Sequence, residues 1–343
     1  MDKLRPNDPR VSSLTVSIRG KTYHYLLANP SSAPRDTILL LHGFPDISLG
    51  WRYQVPLLQS IGLRVIIPDL LGYGRTDAPA DLSAYTLRSM SDDMAALVRH
   101  VCTESQNPQI LLGGHDWGAA FGFRLALWHS ELIKGYFSVC VPYQPPADDY
   151  IDIEALVRTR LPNFGYQLQL ISPAIVDGVK TEQQIRDFLN ALYGGLAPSD
   201  KETPIFTADR GIRLDLLGNR KKTILMSEEE IDFYVHEFAS KGMRGPTNWY
   251  RTRKLNYEEE RELIKKGPGA CRVQCPVLFI AAEKDMALPP AMSAGMERYF
   301  DNFRRELVDC SHWALWEAAP EVNEILKEWI EGQFLNKGLR ASL

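Results

Sequence analysis

Asp116 is the residue in this sequence best placed to do chemistry. It stands in Gly113-Gly114-His115-Asp116-Trp117-Gly118, after the apolar run Ile110-Leu111-Leu112 and before Ala119 to Leu127, which reads as a helix. Strand, glycine-flanked turn and helix make a nucleophile elbow, a bend tight enough to push one side chain clear of the backbone. The plainer reading of the same residues is a strand-to-helix turn with Asp116 as helix N-cap. The side chain at an elbow is usually Ser. A carboxylate there suits attack on an electrophilic sp³ carbon, which expels a leaving group and forms a covalent ester. Hydrolysing that ester takes a general base of near-neutral pKa, a carboxylate to orient the base, and donors for the oxyanion.

Each of these parts has a candidate. Of the seven histidines, His312 alone lies between the last expected strand and the last helix, in Cys310-Ser311-His312-Trp313. That position satisfies the chain order nucleophile, acid, histidine. His115 is fixed in the elbow and is expected to point into the core beside the nucleophile. His42 is expected to support the oxyanion loop, and His24, His100, His129 and His236 read as structural. The acid belongs after the strand Val277 to Ala282, where Glu283 and Asp285 are both available. Asp285 is favoured because it lies further into the loop, toward the carboxyl ends of parallel strands where such sites form. The oxyanion donors are expected to be the backbone N–H of Trp117 and that of Phe44, in His42-Gly43-Phe44-Pro45; Pro45 has no N–H to give. This chemistry requires no metal and no organic cofactor.

The elements that must hold these residues can be read from periodicity. Leu14, Val16 and Ile18 alternate with polar residues, and with Tyr23 to Leu27 they predict an N-terminal hairpin. Thr37 to Leu41 is a continuous apolar run, as in a strand covered on both faces. A helix over Trp51 to Ile61 and a strand at Val65 to Ile67 follow. The glycine-rich loop Pro68 to Thr76 lacks the Gly-Lys-Ser/Thr ending of a phosphate loop. Tyr85 to Val101 reads as a helix, with Met90, Met94, Leu97 and Val101 as core at helical spacing. Gly135 to Val141 is the next strand. From Pro142 to Glu260 strands and helices stop alternating and helical stretches dominate, among them Ser227 to Ser240. Alternation resumes with the strand at Val277, a helix over Ala291 to Tyr299, a strand at Arg305 to Val308 and a helix over Pro320 to Phe334. The expectation is an α/β fold with a mostly parallel sheet flanked by helices. It has core segments 1–141 and 261–343 and an inserted helical lid over 142–260.

Composition narrows the class further. The chain has 343 residues, 45% of them hydrophobic and 24% charged, with a formal net charge of −4. These are ordinary values for a soluble globular protein and give no basic face for nucleic acid. The densest cationic stretch, Gly218-Asn219-Arg220-Lys221-Lys222, reads as a solvated loop. The five cysteines have neither a disulfide-framework spacing nor the partners of a zinc site, which favours a reducing compartment. No signal peptide or membrane-spanning run is evident, so a cytoplasmic location is expected. The terminal Ala341-Ser342-Leu343 only partly resembles a peroxisomal address.

Together, His42-Gly43-Phe44-Pro45, Gly114-His115-Asp116-Trp117-Gly118, Glu283-Lys284-Asp285 and Ser311-His312-Trp313 resemble the soluble epoxide hydrolases of the α/β-hydrolase fold. The resemblance runs from about Leu14 to Phe334, which is expected to leave no room for the extra phosphatase domain that vertebrate members carry ahead of this unit. It implies two lid tyrosines that hold and protonate the epoxide oxygen. Phe164-Gly165-Tyr166-Gln167 and Gly245-Pro246-Thr247-Asn248-Trp249-Tyr250-Arg251 match those patterns, giving Tyr166 and Tyr250 the acid role. The chemistry agrees: an alkoxide is a poor leaving group, and a phenol with a pKa near about 10 is protonated at neutral pH and can donate to it. The implied reaction converts a small apolar epoxide and water to a vicinal diol, with Trp117, Phe44, Tyr166 and Tyr250 around the substrate.

The nearest rival is a haloalkane or haloacid dehalogenase on the same scaffold. Haloalkane dehalogenases commonly place Asn where Phe44 stands, and fluoroacetate-type enzymes usually carry Arg where Trp117 stands. A rival of another class is a non-catalytic small-ligand receptor, since a fold does not fix its function.

Overall fold

The computed structural model describes residues 1–195, 204–218 and 221–336. Asn219 and Arg220 of the cationic stretch, and the terminal Ala341-Ser342-Leu343, lie outside the described residues.

The strands in chain order are β1 (Ser12–Ile18), β2 (Lys21–Ala28), β3 (Asp36–Leu41), β4 (Leu63–Pro68), β5 (Ile110–His115), β6 (Ile133–Val139), β7 (Phe206–Thr207), β8 (Gly211–Ile212), β9 (Val277–Ala282) and β10 (Phe303–Val308). Eight of them form one sheet through the middle of the molecule, in the order β1-β2-β4-β3-β5-β6-β9-β10. The β1/β2 hairpin and the β2/β4 pair are antiparallel; every other pairing in this sheet is parallel. Ile38 to Leu41 and all six residues of β5 are buried, because helices cover both faces of the central strands.

The flanking helices of the first segment are α1 (Val55–Ser60), α2 (Leu87–Val101) and α3 (Trp117–Trp128). The α1 helix is shorter than the sequence reading predicts. Ser48–Trp51 forms a separate 3₁₀ turn, and Pro56 must sit in the first turn of a helix, so α1 begins just before it. In α2, Thr86 caps the helix by accepting from Ser89 N–H at 3.2 Å, and Met90, Met94 and Leu97 pack into the core as expected.

Between β6 and β9 the chain forms α4 (Ile153–Thr159), α5 (Tyr166–Ile171), α6 (Ala174–Gly178), α7 (Glu182–Leu192), α8 (Glu228–Ala239), α9 (Arg244–Arg251) and α10 (Arg253–Lys265). A capping box of Ser227 and Glu230 starts α8. The α10 helix runs through Glu260, where the sequence reading ends the lid, to Lys265. The small β7/β8 hairpin also lies here and carries no sequence signature; two residues per strand leave no periodicity to read.

The helix expected over Ala291 to Tyr299 is absent. Two 3₁₀ turns replace it, Pro290–Ser293 and Met296–Tyr299, because Gly295 between them adopts φ +79°, a left-handed conformation that ends a helix. The described residues close with α11 (Ala314–Glu317), α12 (Ala319–Ile330) and a π turn over Glu331–Leu335. No helix among the described residues is long and apolar enough to cross a membrane.

Candidate active site

Asp116 sits between β5 and α3 with φ +52° and ψ −127°, a conformation a non-glycine residue adopts only when its surroundings impose it. The elbow thus turns its carboxylate toward the loop after β3. There Phe44 N–H donates to Asp116 Oδ1 at 2.7 Å. Gly43 makes this approach feasible, since a Cβ on it would lie 2.4 Å from Asp116 Cβ and from Oδ1. Trp117 is the first residue of α3, so its N–H belongs to the helix-end amides that lack intrahelical partners. The site therefore offers one amide already bound to the carboxylate, with the Trp117 amide next to Asp116 in the chain.

His312 follows β10, and its Nε2 lies 3.5 Å from Asp116 Oδ2. Its Nδ1 lies 2.6 Å from Asp285 Oδ2. Asp285 is buried and its other oxygen accepts from Ala287 N–H at 2.9 Å and Leu288 N–H at 3.0 Å, whereas Glu283 is exposed. Burial alone would disfavour charge on all three groups, but their mutual contacts reverse the outcome. His312 lies well above the ordinary histidine value because Asp285 and Asp116 face it. Both carboxyls lie below the ordinary carboxylate value, chiefly through His312.

Neighbouring residues hold this geometry. His115 points inward as expected, and its Nε2 lies 2.9 Å from the His312 carbonyl oxygen, so the elbow ties the loop that carries His312. His42 Nε2 accepts from Leu70 N–H at 2.9 Å, leaving Nδ1–H to donate to the Gly43 carbonyl at 3.0 Å. Burial pushes both imidazoles down to about 4, so they act as neutral struts. Two ties have no local signal in the sequence. Glu317 accepts from Ser311 N–H at 3.0 Å and Trp313 N–H at 3.2 Å, clamping the loop on either side of His312. Tyr234 of α8 donates to Asp46 Oδ1 at 2.7 Å, just past the Phe44 loop, and burial pushes that carboxyl up to about 7. His115, Cys140 and His312 place ligand-type atoms within 4.8 Å of one another. Both nitrogens of His312 face carboxylates and burial keeps the Cys140 thiol protonated, so these atoms form packing rather than a metal cradle.

Asp116, Tyr166 and Tyr250 line one cavity of about 690 Å³ together with Phe44, His312 and Trp313. Tyr250 is wedged edge-on between the rings of Phe44 and Trp117, with centroids 5.3 Å and 5.1 Å away, and Tyr166 lies 6.3 Å from it. Burial raises both phenols far above their ordinary value, and Asp116 adds to the effect, so both hydroxyls keep their protons. The other tyrosines in or beside this segment are engaged elsewhere. Tyr143 donates to Cys271 O, Tyr193 to Pro45 O, Tyr234 to Asp46 and Tyr257 to Asp148 O, while Tyr150 is exposed.

The glycine-rich loop after β4 sets the position of Tyr250. A Cβ on Gly245, in the first turn of α9, would lie 2.5 Å from Gly72 O, and one on Gly72 would lie 2.7 Å from Gly245 C. Backbone meets backbone there, and Trp249 Nε1 donates to Leu71 O at 2.8 Å to close the contact. These glycines serve close packing rather than phosphate binding.

The sequence matches the family model described as "alpha/beta hydrolase fold" over residues 36–319. It is 45% identical to "Epoxide hydrolase srdG" of Neurospora crassa, over 97% of this chain and 99% of that protein. It is 29% identical to "Bifunctional epoxide hydrolase 2" of Rattus norvegicus, over 98% of this chain but 58% of that protein, so it spans little more than half of that relative. Among solved structures it is similar to Epoxide Hydrolase A from Mycobacterium thermoresistibile, with a TM-score of 0.78 and 25% identity over 94% of this chain and 98% of that one.

Proposed function

Because the chain belongs to the epoxide hydrolases of the α/β-hydrolase fold, we propose that it converts an epoxide to a vicinal diol through a covalent ester on Asp116. The observation that carries this reading is the cavity itself, lined at once by a buried, ionised Asp116 and by two protonated phenols, Tyr166 and Tyr250. Asp116 Oδ2 attacks one ring carbon. The C–O bond to the epoxide oxygen breaks, and Tyr166 and Tyr250 donate to that oxygen as it leaves; one phenol passes its proton to make the hydroxyl and is reprotonated from solvent within the cycle. Oδ1, already bound to Phe44 N–H, becomes the ester carbonyl oxygen. His312, oriented by Asp285, then takes a proton from water, which attacks the ester carbon. The negative charge gathers on Oδ1, where the N–H groups of Phe44 and Trp117 receive it. Collapse of this intermediate breaks the bond to Oδ2, which leaves in the diol with the proton that the His312 imidazolium returns, and Asp116 is restored as a carboxylate. Residues 142–260 act as a lid that carries both tyrosines over the nucleophile.

Ester formation also primes the second step. It removes the negative charge of Asp116, one of the two carboxylates that hold His312 protonated, and so lowers the imidazole toward the neutral form a base requires. The half-reactions therefore separate with pH. Alkylation needs ionised Asp116, whose carboxyl lies below its usual range, and so persists as the solution is acidified. Ester hydrolysis needs neutral His312 and fades as pH falls through that group's value in the ester. Acid-quenched samples followed by intact mass are expected to show the ester fraction rising on acidification. A constant fraction would mean that one titration governs both steps.

Tyr250→Phe is expected to slow alkylation by about 10²-fold, the usual scale for losing one donor to a developing oxyanion, and to leave ester hydrolysis nearly unchanged. Rapid-quench mass measurement of the two steps checks this, and an unaltered alkylation rate would remove Tyr250 from the acid role. The reading as a whole is tested with a panel of epoxides and haloalkanes assayed for diol and for halide. Diol from epoxides with little halide release is expected. Halide release without diol would favour a dehalogenase, and binding without turnover a receptor.

A further inference from the structure

A second Ser-His-Asp array lies across the N-terminal hairpin, away from the elbow. Ser13 Oγ on β1 is 2.8 Å from His24 Nε2 on β2. In the register of the hairpin Thr15 faces His24, so Ser13 is its diagonal neighbour on the same face. His24 Nδ1 is 2.7 Å from Asp69 Oδ2, just beyond β4. An Nδ1–H given to the carboxylate leaves Nε2 free to accept from the serine hydroxyl, the arrangement of an activated nucleophile. Asp69 is buried and fixed: Oδ1 accepts from Ser48 N–H at 2.9 Å and Oδ2 from Arg75 N–H at 3.2 Å. Arg75 Nη1 also donates to Ser13 Oγ at 3.3 Å, with its guanidinium braced by Glu237 at 2.9 Å, so a cation stands beside the serine oxygen as its proton passes to His24.

This array opens on its own cavity of about 200 Å³, whose apolar wall includes Val11, Leu26, Ile47, Leu49 and Phe233. Neither Asp116 nor His312 lines it. Ser13 is exposed while His24 and Asp69 are buried, so the nucleophile can be reached and its base is shielded. A cavity this small sits below the usual range for drug-sized ligands and suits a short acyl group.

The geometry points to a second nucleophilic site, in which Ser13 takes the acyl group of a small apolar ester. The Ser13 Oγ–acyl carbon bond forms as the hydroxyl proton passes to His24 Nε2. The ester C–O bond then breaks, and the imidazolium returns the proton to the departing alkoxide. Water, deprotonated by His24, releases the acid and restores Ser13. A purely structural role, pinning the hairpin to the glycine-rich loop, would leave Ser13 no more reactive than its neighbours.

The test uses the full chain, as wild type and as Asp116→Asn, treated with an alkyl fluorophosphonate and in parallel with p-nitrophenyl acetate, then digested for peptide mass mapping. The expected result is one phosphonyl or acetyl group on Ser13 in both proteins and none on Ser12 or Ser17 of the same strand. His24→Gln, with its thermal melt compared to wild type, is expected to slow the labelling by about 10²-fold or more, the scale of a lost general base. Absence of an adduct at Ser13, equal labelling of Ser12, Ser13 and Ser17, or undiminished labelling in a folded His24→Gln variant would overturn the proposal. The serine comparison within one strand decides the matter even if the histidine variant does not fold.

Discussion

Asp116→Asn is expected to abolish diol formation, lowering turnover by about 10⁴-fold or more, the scale of deleting a covalent nucleophile. The carboxamide keeps the shape of the side chain and still offers an oxygen to Phe44 N–H, so the elbow need not rearrange. What disappears is the anion. A neutral amide oxygen is a poor nucleophile, and water cannot replace it because the attacked carbon would lie against the carboxamide rather than beside an activated water. The variant's intact mass should also stay unchanged after incubation with epoxide. If it retained more than about a tenth of wild-type turnover, covalent attack by Asp116 would be untenable.

His312→Gln has the second-largest effect and a different signature. The nucleophile and both phenols remain, so epoxide should still alkylate Asp116. Without a base the ester cannot be hydrolysed at speed, and steady-state turnover should fall by about 10²- to 10⁴-fold. The protein should gain the mass of one epoxide and hold it. Loss of the imidazolium also removes a partner that keeps Asp116 ionised, so alkylation itself is expected to slow modestly. Normal multiple turnover would show that another group activates the water.

How much of this was legible in the sequence follows from what each feature depends on. The elbow, the loop after β9 and the loop after β10 were legible because each is a local pattern, an apolar strand followed by residues of the right chemistry in a fixed order. Between Glu283 and Asp285 the sequence favours the second, and the fold places it against His312, with the Ala287 and Leu288 amides fixing its other oxygen. Tyr166 and Tyr250 stand out in the sequence only through a family resemblance, since no periodicity separates them from Tyr143 or Tyr193. What separates them is long-range: Tyr193 spends its hydroxyl on Pro45 and Tyr234 on Asp46, contacts spanning well over a hundred residues. The packing of Gly245 on Gly72 was hidden for the same reason. The helix expected over Ala291 to Tyr299 is broken locally, by the left-handed conformation of Gly295.

The central claim is that an oxygen of Asp116 enters the product. It is tested most directly by a single turnover in ¹⁸O-enriched water, with enzyme in excess over epoxide. The diol is expected to carry no solvent label, because its new oxygen comes from Oδ2, and the ¹⁸O should instead appear on Asp116 in the digested protein. Diol labelled from solvent in that first turnover, with Asp116 unlabelled, would mean direct attack by water and would contradict the account.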